Sequence, residues 1–183
     1  MTDLVLTLIG PDRPGLVEAV AEVVANHGGN WLESRMAHLA GKFAGILRVE
    51  IAEEKTQALL ASLASLGARG LKITAEPSSE ASLLLTGRAL ELELVGLDRP
   101  GIVREISQLL ASSGANVEEL ATDRTSAPMS GEMLFSAKAR VHLPKDADLG
   151  MLRVALERLA SDLVVEIRLV ETALETKPQK AQR

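Results

Sequence analysis

The chain has 183 residues, 46% hydrophobic and 25% charged, and its 20 Lys and Arg against 25 Asp and Glu leave a net charge of −5. That balance belongs to folded proteins and excludes the polar, highly charged composition of disorder. The absence of cysteine excludes disulfides, thiolate metal sites and a cysteine nucleophile together, and net charges of −3 for residues 1–86 and −2 for residues 87–183 argue against direct nucleic-acid binding, which needs a basic stripe.

The chain opens with Asp3 where an export signal needs positive charge, and its first apolar run stops at Pro11. No stretch approaches the roughly 20 apolar residues of a membrane span, so neither export by that route nor embedding is expected, and the cytoplasm is the expected compartment. Leu4 to Gly10 reads as a strand ended by glycine. From Gly10 to Ser34 the sequence GPDRPGLVEAVAEVVANHGGNWLES returns 86 residues later as GPDRPG's counterpart GLDRPGIVREISQLLASSGANVEEL, Gly96 to Leu120, with ten of 25 aligned positions identical. Leu16, Val20, Val23, Val24 and Ile102, Ile106, Leu109, Leu110 have the spacing of a helix with one buried face. Gly28 and Gly114 stop those helices, and Asn30 to about Ala40 and Asn116 to about Arg124 read as extended.

Third segments alternate at Leu47, Val49, Ile51 and at Ala139, Val141, Leu143. Second helices carry Leu59, Leu60, Leu63, Leu66 and Leu149, Leu152, Leu156, Leu159, and closing strands run from Leu71 to Glu76 and from Val164 to Glu171. The order is βαββαβ twice, an α+β fold of two ferredoxin-like domains, each a four-stranded antiparallel sheet with two helices on one face. The expected division is 1–76 and 89–172, with 77–88 a linker and 173–183 a flexible tail. Pairing Phe43 with Phe135 implies six extra residues in the second unit, in a loop around Ser126 to Gly131. A sheet face without helices leaves room for a homo-oligomer.

The repeated turn is where chemistry is expected. Asp12 and Asp98 are good helix N-caps, Pro14 and Pro100 suit a first helical turn, and Gly15 and Gly101 allow close approach to the backbone. Free amides at Gly15, Leu16 and at Gly101, Ile102, with the helix dipole, would seat a carboxylate. Asn30 and Asn116 are expected beside the same turn, each offering the donor and acceptor that an α-amino acid requires. The alternative is local: a capped helix start and a turn asparagine.

Other constellations are weaker. His27, His38 and His142 lack metal-ligand spacing and read as surface or turn residues, so no metal is expected. Ser34, Ser126 and Ser130 have no nucleophile elbow, and Gly10 to Gly15 lacks the Lys-Ser of a phosphate loop, so no catalytic residue is expected. Adjacent Glu118 and Glu119 read as a solvated strand face, and Trp31 as core or interface.

The motif G-x-D-R-P-G-[LI]-V, then a helix, then G-x-N inside βαββαβ, resembles the ACT domain from Leu4 to about Glu171, and the tandem pair resembles the glycine cleavage system transcriptional repressor family. The resemblance implies a regulatory module that binds a small amino acid between paired domains. It assigns ligand contacts to Gly10, Asp12, Arg13, Gly15 and Asn30, and to Gly96, Asp98, Arg99, Gly101 and Asn116, beside the Leu16 and Ile102 amides that the turn itself suggests. Leu97 for Pro11, Ala115 for Gly29 and Val117 for Trp31 depart from strict repetition, so the two sites need not bind alike. The implied function is non-enzymatic, without a cofactor: sensing of a small amino acid, with glycine the expected one, and contact with a transcriptional activator of glycine cleavage genes. A ligand-free assembly module is one alternative. Another is a regulatory portion related to formyltetrahydrofolate deformylase, for which the chain leaves no length for a hydrolase domain.

Overall fold

The computed structural model describes residues 1–78, 87–128 and 131–172. The chain divides into two compact units, Met1–Ser82 and Leu83–Arg183. In the first, β1 (Thr2–Pro11) leads to α1 (Leu16–Asn26), β2 (Asn30–Leu39), β3 (Lys42–Ile51), α2 (Thr56–Ser65) and β4 (Lys72–Pro77). The second repeats the order as β5 (Gly87–Leu97), α3 (Ile102–Ser112), β6 (Asn116–Ser126), β7 (Met133–Pro144), α4 (Leu149–Leu163) and β8 (Val165–Thr172). The sheets are antiparallel and ordered β2-β3-β1-β4 and β6-β7-β5-β8, the ferredoxin-like arrangement.

Period-two patterning decides which sheet face is covered. Leu4, Leu6 and Leu8 of β1 and Leu47, Val49 and Ile51 of β3 are buried, as are Leu90, Leu92 and Leu94 of β5 and Val141 and Leu143 of β7. Onto the first set pack Leu16, Ala19, Val20 and Val24 of α1 and Leu59 and Leu63 of α2. Onto the second pack Ile102, Ile106 and Leu110 of α3 and Leu152, Leu156 and Leu163 of α4. Each such leucine, fully buried, contributes about 1.5–3 kcal/mol, so the helical faces fix the register of the strands beneath them. Trp31 is partly buried against the first core.

The β2–β3 connection is the two-residue turn Ala40-Gly41, both at positive φ (49° and 74°), as a tight right-twisted hairpin requires. Gly10 pairs with Phe43 and Gly96 with Phe135, so the extra residues of the second unit do fall in the β6–β7 hairpin, which adds the rung Ser126–Met133. Of the expected loop, residues 129 and 130 lie outside the described residues. So do 79–86 of the expected linker and all of the expected tail, 173–183. Pro77 belongs to β4, and Gly87 and Arg88 belong to β5, so strand pairing extends into both ends of the segment expected to link the units. Both second strands carry a β-bulge at the same place, between Trp31 and Glu33 and between Val117 and Glu119.

Candidate functional site

In both units the first strand runs into a turn that ends on a left-handed glycine. Gly15 (φ 86°, ψ 7°) and Gly101 (φ 98°, ψ −8°) are the residues preceding α1 and α3, and their carbonyls accept the first helical bonds, from Ala19 N and Glu105 N, each at 3.0 Å. Only glycine adopts that conformation without strain. No side chain caps either helix. The N-cap role expected of Asp12 and Asp98 is therefore corrected: they stand three residues too early, and Pro14 and Pro100 lie before the helix rather than in its first turn.

The aspartates instead tie the turn to the neighbouring hairpin. Asp12 Oδ2 lies 3.6 Å from His38 Nε2 and its amide donates to Gly41 O at 3.0 Å. Asp98 Oδ2 lies 2.7 Å from Arg124 Nε and its amide donates to Met133 O at 2.8 Å. Gly10 and Gly96 have a packing reason: a Cβ at Gly10 would sit 3.0 Å from Gly70 O, and one at Gly96 would collide with Val165.

Around each left-handed glycine the helix N-terminus presents the first-turn amides, which have no partner inside the helix, together with the positive end of its dipole. Leu16 and Ile102 contribute through the backbone alone, because their side chains are 6% and 2% exposed and belong to the cores. Among the described residues a Cβ placed on Gly15 would meet Glu18 Oε2 at 3.6 Å, an ordinary contact with the far end of a flexible side chain.

The two arginines differ. Arg13 extends toward Gly70, where its Nη2 lies 3.2 Å from the position a Cβ would take. Arg99 is held by Glu105 through two parallel contacts, Nη1 to Oε1 at 3.2 Å and Nη2 to Oε2 at 3.1 Å. Neither Glu105, nor His38 and Arg124 as partners of the turn, stood among the expected residues. The aligned repeat already sets Ala19 opposite Glu105, and extending it beyond Ser34 sets His38 opposite Arg124.

Asn30 and Asn116 are not beside the turn of their own unit, and that expectation is corrected. Asn30 pairs with Glu50, which pairs with Asp3, whereas the turn follows Gly10, seven residues further along β1. At about 3.3 Å per residue the separation is roughly 23 Å. In the second unit Asn116 pairs with His142 and His142 with Ala89, again seven residues from Gly96. The cause is simple: an 11-residue helix carries the chain back about 16 Å before the next strand begins.

Of the histidines, His142 departs from expectation and His27 lies in the turn that follows α1, as expected. His142 is 3% exposed, where a surface or turn residue was expected. His27 is part-buried, with Nδ1 2.8 Å from Val23 O and Nε2 3.2 Å from Ser62 Oγ, a bridge between α1 and α2. Among the described residues no group of three or more His, Cys, Asp or Glu could hold a metal. A cavity of about 660 Å³ lies elsewhere, on the helix-free face of the first sheet, with Thr7, Ile9, Arg35, Ala44, Ile46 and Lys72 among its lining, and none of the expected ligand contacts borders it.

The family model of the ACT domain matches residues 2–75. A UPF0237 protein of Methanococcus maripaludis is 35% identical over 77 residues, 42% of this chain and 79% of that protein. A UPF0237 protein of Methanopyrus kandleri is 38% identical over 53 residues, 29% of this chain and 59% of that protein. The structure of an unknown protein from Galdieria sulphuraria superposes with a TM-score of 0.80 at 32% identity, covering 94% of this chain and 99% of that one. A candidate glycine cleavage system transcriptional repressor superposes with a TM-score of 0.70 over 93% of this chain and 97% of that one, and at 20% identity it shares the fold.

Proposed function

Since the chain belongs to the ACT-domain family and carries two units of that topology in tandem, we propose that it is a regulatory protein rather than an enzyme, binding a small amino acid and acting through a protein partner. Glycine is the proposed ligand, a transcriptional activator of glycine cleavage genes the proposed partner and the cytoplasm the proposed compartment; the structural relative above is a candidate glycine cleavage system transcriptional repressor. The reading rests most on the first turn: the left-handed Gly15, the first-turn amides and the Arg13 cation of the same turn together suit an α-carboxylate. Gly10, Asp12 and their counterparts Gly96 and Asp98 would hold the turn in shape. Because Asn30 lies far from the turn of its own unit, its proposed part in binding the amino group requires a turn from another copy, and a homo-oligomer is part of the proposal.

Calorimetric titration with glycine and serine tests the reading. Saturable heat that Arg13→Ala and Asn30→Ala both weaken at least ten-fold supports it. Loss with Arg13→Ala alone removes Asn30 from the site, and no heat with either amino acid sinks the sensor. A second reading, a ligand-free assembly module, is favoured by Ile9 and Ile46, 49% and 51% exposed on the open face of the first sheet. It would show as self-association that is indifferent to amino acids and weakened by Ile46→Glu.

A further inference from the structure

Arg13 and Arg99 occupy the same place in the repeated turn, yet among the described residues only the second has a carboxylate fixed on it. Its partner Glu105 stands where the first unit has Ala19, which is 6% exposed and packed into the core. Glu105 is the fourth residue after the left-handed Gly101, so the first turn of α3 folds its side chain back over the helix N-terminus. There Oε1 comes within 3.5 Å of the point a Cβ on Gly101 would occupy, while both oxygens engage the guanidinium. This is the fork-to-fork geometry by which arginine recognises a carboxylate, with the helix dipole behind it. In the first unit Glu18 is the nearest acid to the equivalent point, at 3.6 Å. Glu18 is exposed, and among the described residues no ion pair ties it to Arg13, whose guanidinium lies over Gly70 instead.

We propose that Glu105 is a built-in occupant of the second turn, closing it to free amino acids, so that the first turn is the one that senses ligand. The proposal rests on the amino-acid-sensing reading above and assigns that site within it. A tethered carboxylate competes at an effective concentration of order millimolar or more, so a ligand present below that level does not displace it. The second unit then keeps the shape of a sensor with its response suppressed, and the charge it would read is supplied by its own helix.

Titration of the full chain with glycine and serine decides the matter. Expected are one binding event in the wild type, at least a ten-fold loss in Arg13→Ala, and no change in Arg99→Ala. Glu105→Gln should add a second event, about ten-fold tighter than any second-site binding in the wild type, and the double variant Arg99→Ala, Glu105→Gln should abolish it. Glu105→Ala repeats the test in case glutamine keeps a hydrogen bond to Arg99. Two equal events in the wild type, one removed by each arginine variant, would overturn the closure and leave the sensor standing. The absence of a second event in both Glu105 variants overturns the closure as well. No heat in any of these proteins sinks the closure and the sensor together.

Discussion

At the scale of single residues, the repeat conserves its members for different physical reasons, and substitutions separate them. Gly96 has no room for a methyl group, because the start of β8 crosses it and Val165 fills the space. Gly96→Ala should cost about 1–3 kcal/mol by overpacking, measured as a fall in the denaturation midpoint of the second unit. An unchanged midpoint would mean that Val165 moves away freely. Capping chemistry sits elsewhere than the repeated aspartates. Asp148 precedes α4 and its Oδ1 accepts from Gly150 N at 2.7 Å and Met151 N at 3.1 Å, so Asp148→Ala should cost about 1 kcal/mol. Asp12→Ala removes only an exposed pair with His38 and should cost a few tenths of a kcal/mol. Equal losses from the two variants would restore a capping role to Asp12. Sequence pattern marks aspartate before a helix as a cap, but it does not reveal that a left-handed glycine intervenes; only backbone dihedrals do.

At the scale of elements, the two sheets share a topology and diverge on their uncovered faces. Thr7 pairs with Ile46 in the first sheet, and the equivalent positions of the second hold Glu93 and Lys138, 2.8 Å apart. A second cross-strand pair, Arg140 with Glu119 at 3.4 Å, continues that charged face. The Lys138 hydrogen bond, then its charge, holds the Glu93 carboxyl below the ordinary carboxylate value, and the same contact holds the Lys138 ammonium above its own. The lowered acid contributes stability at pH above its unfolded value and loses it as pH falls; the raised base contributes below its unfolded value and loses it as pH rises. Between about pH 5 and pH 10 this pair therefore gives no pH dependence. In Lys138→Met the Glu93 carboxyl should titrate at higher pH than in the wild type, read by NMR of the side-chain carbon, and an unmoved titration would show that the contact does not persist in solution. Strands and helices were legible because alternation and helical spacing are local, and Leu4, Leu6, Leu8 or Ile102, Ile106, Leu110 announce the buried face directly. Asn30 follows the repeated turn closely in sequence but not in space, because the length of α1 sets the distance between them through the rise of the helix. The Arg99–Glu105 contact depends on rotamers within one helical turn, which spacing permits but does not choose.

At the scale of the whole chain, each unit carries its own core. The first gathers Leu4, Leu6, Leu8, Val20, Val49, Ile51, Leu59 and Leu63 among others, all from residues 1–78, and the second draws entirely on residues from Leu90 onward. Among the described residues every strand of the first sheet finds a hydrogen-bonded neighbour within Met1–Ser82. A domain of about 80 residues is small, and its margin rests on a few large side chains. Leu59 is the clearest of them: wholly buried on α2, it faces the sheet beside Leu63. A fragment spanning Met1–Ser82 should therefore unfold in one cooperative denaturant transition by itself, and Leu59→Ala within it should lower the unfolding free energy by about 2–5 kcal/mol through the cavity it leaves. A fragment without a cooperative transition would mean that the first unit depends on the second for its stability, and the tandem arrangement would then be a requirement of folding. A cooperative fragment that still gives glycine heat, weakened by Arg13→Ala, would place sensing within this unit, with the second free to diverge at Ala19, now Glu105, without cost to the first.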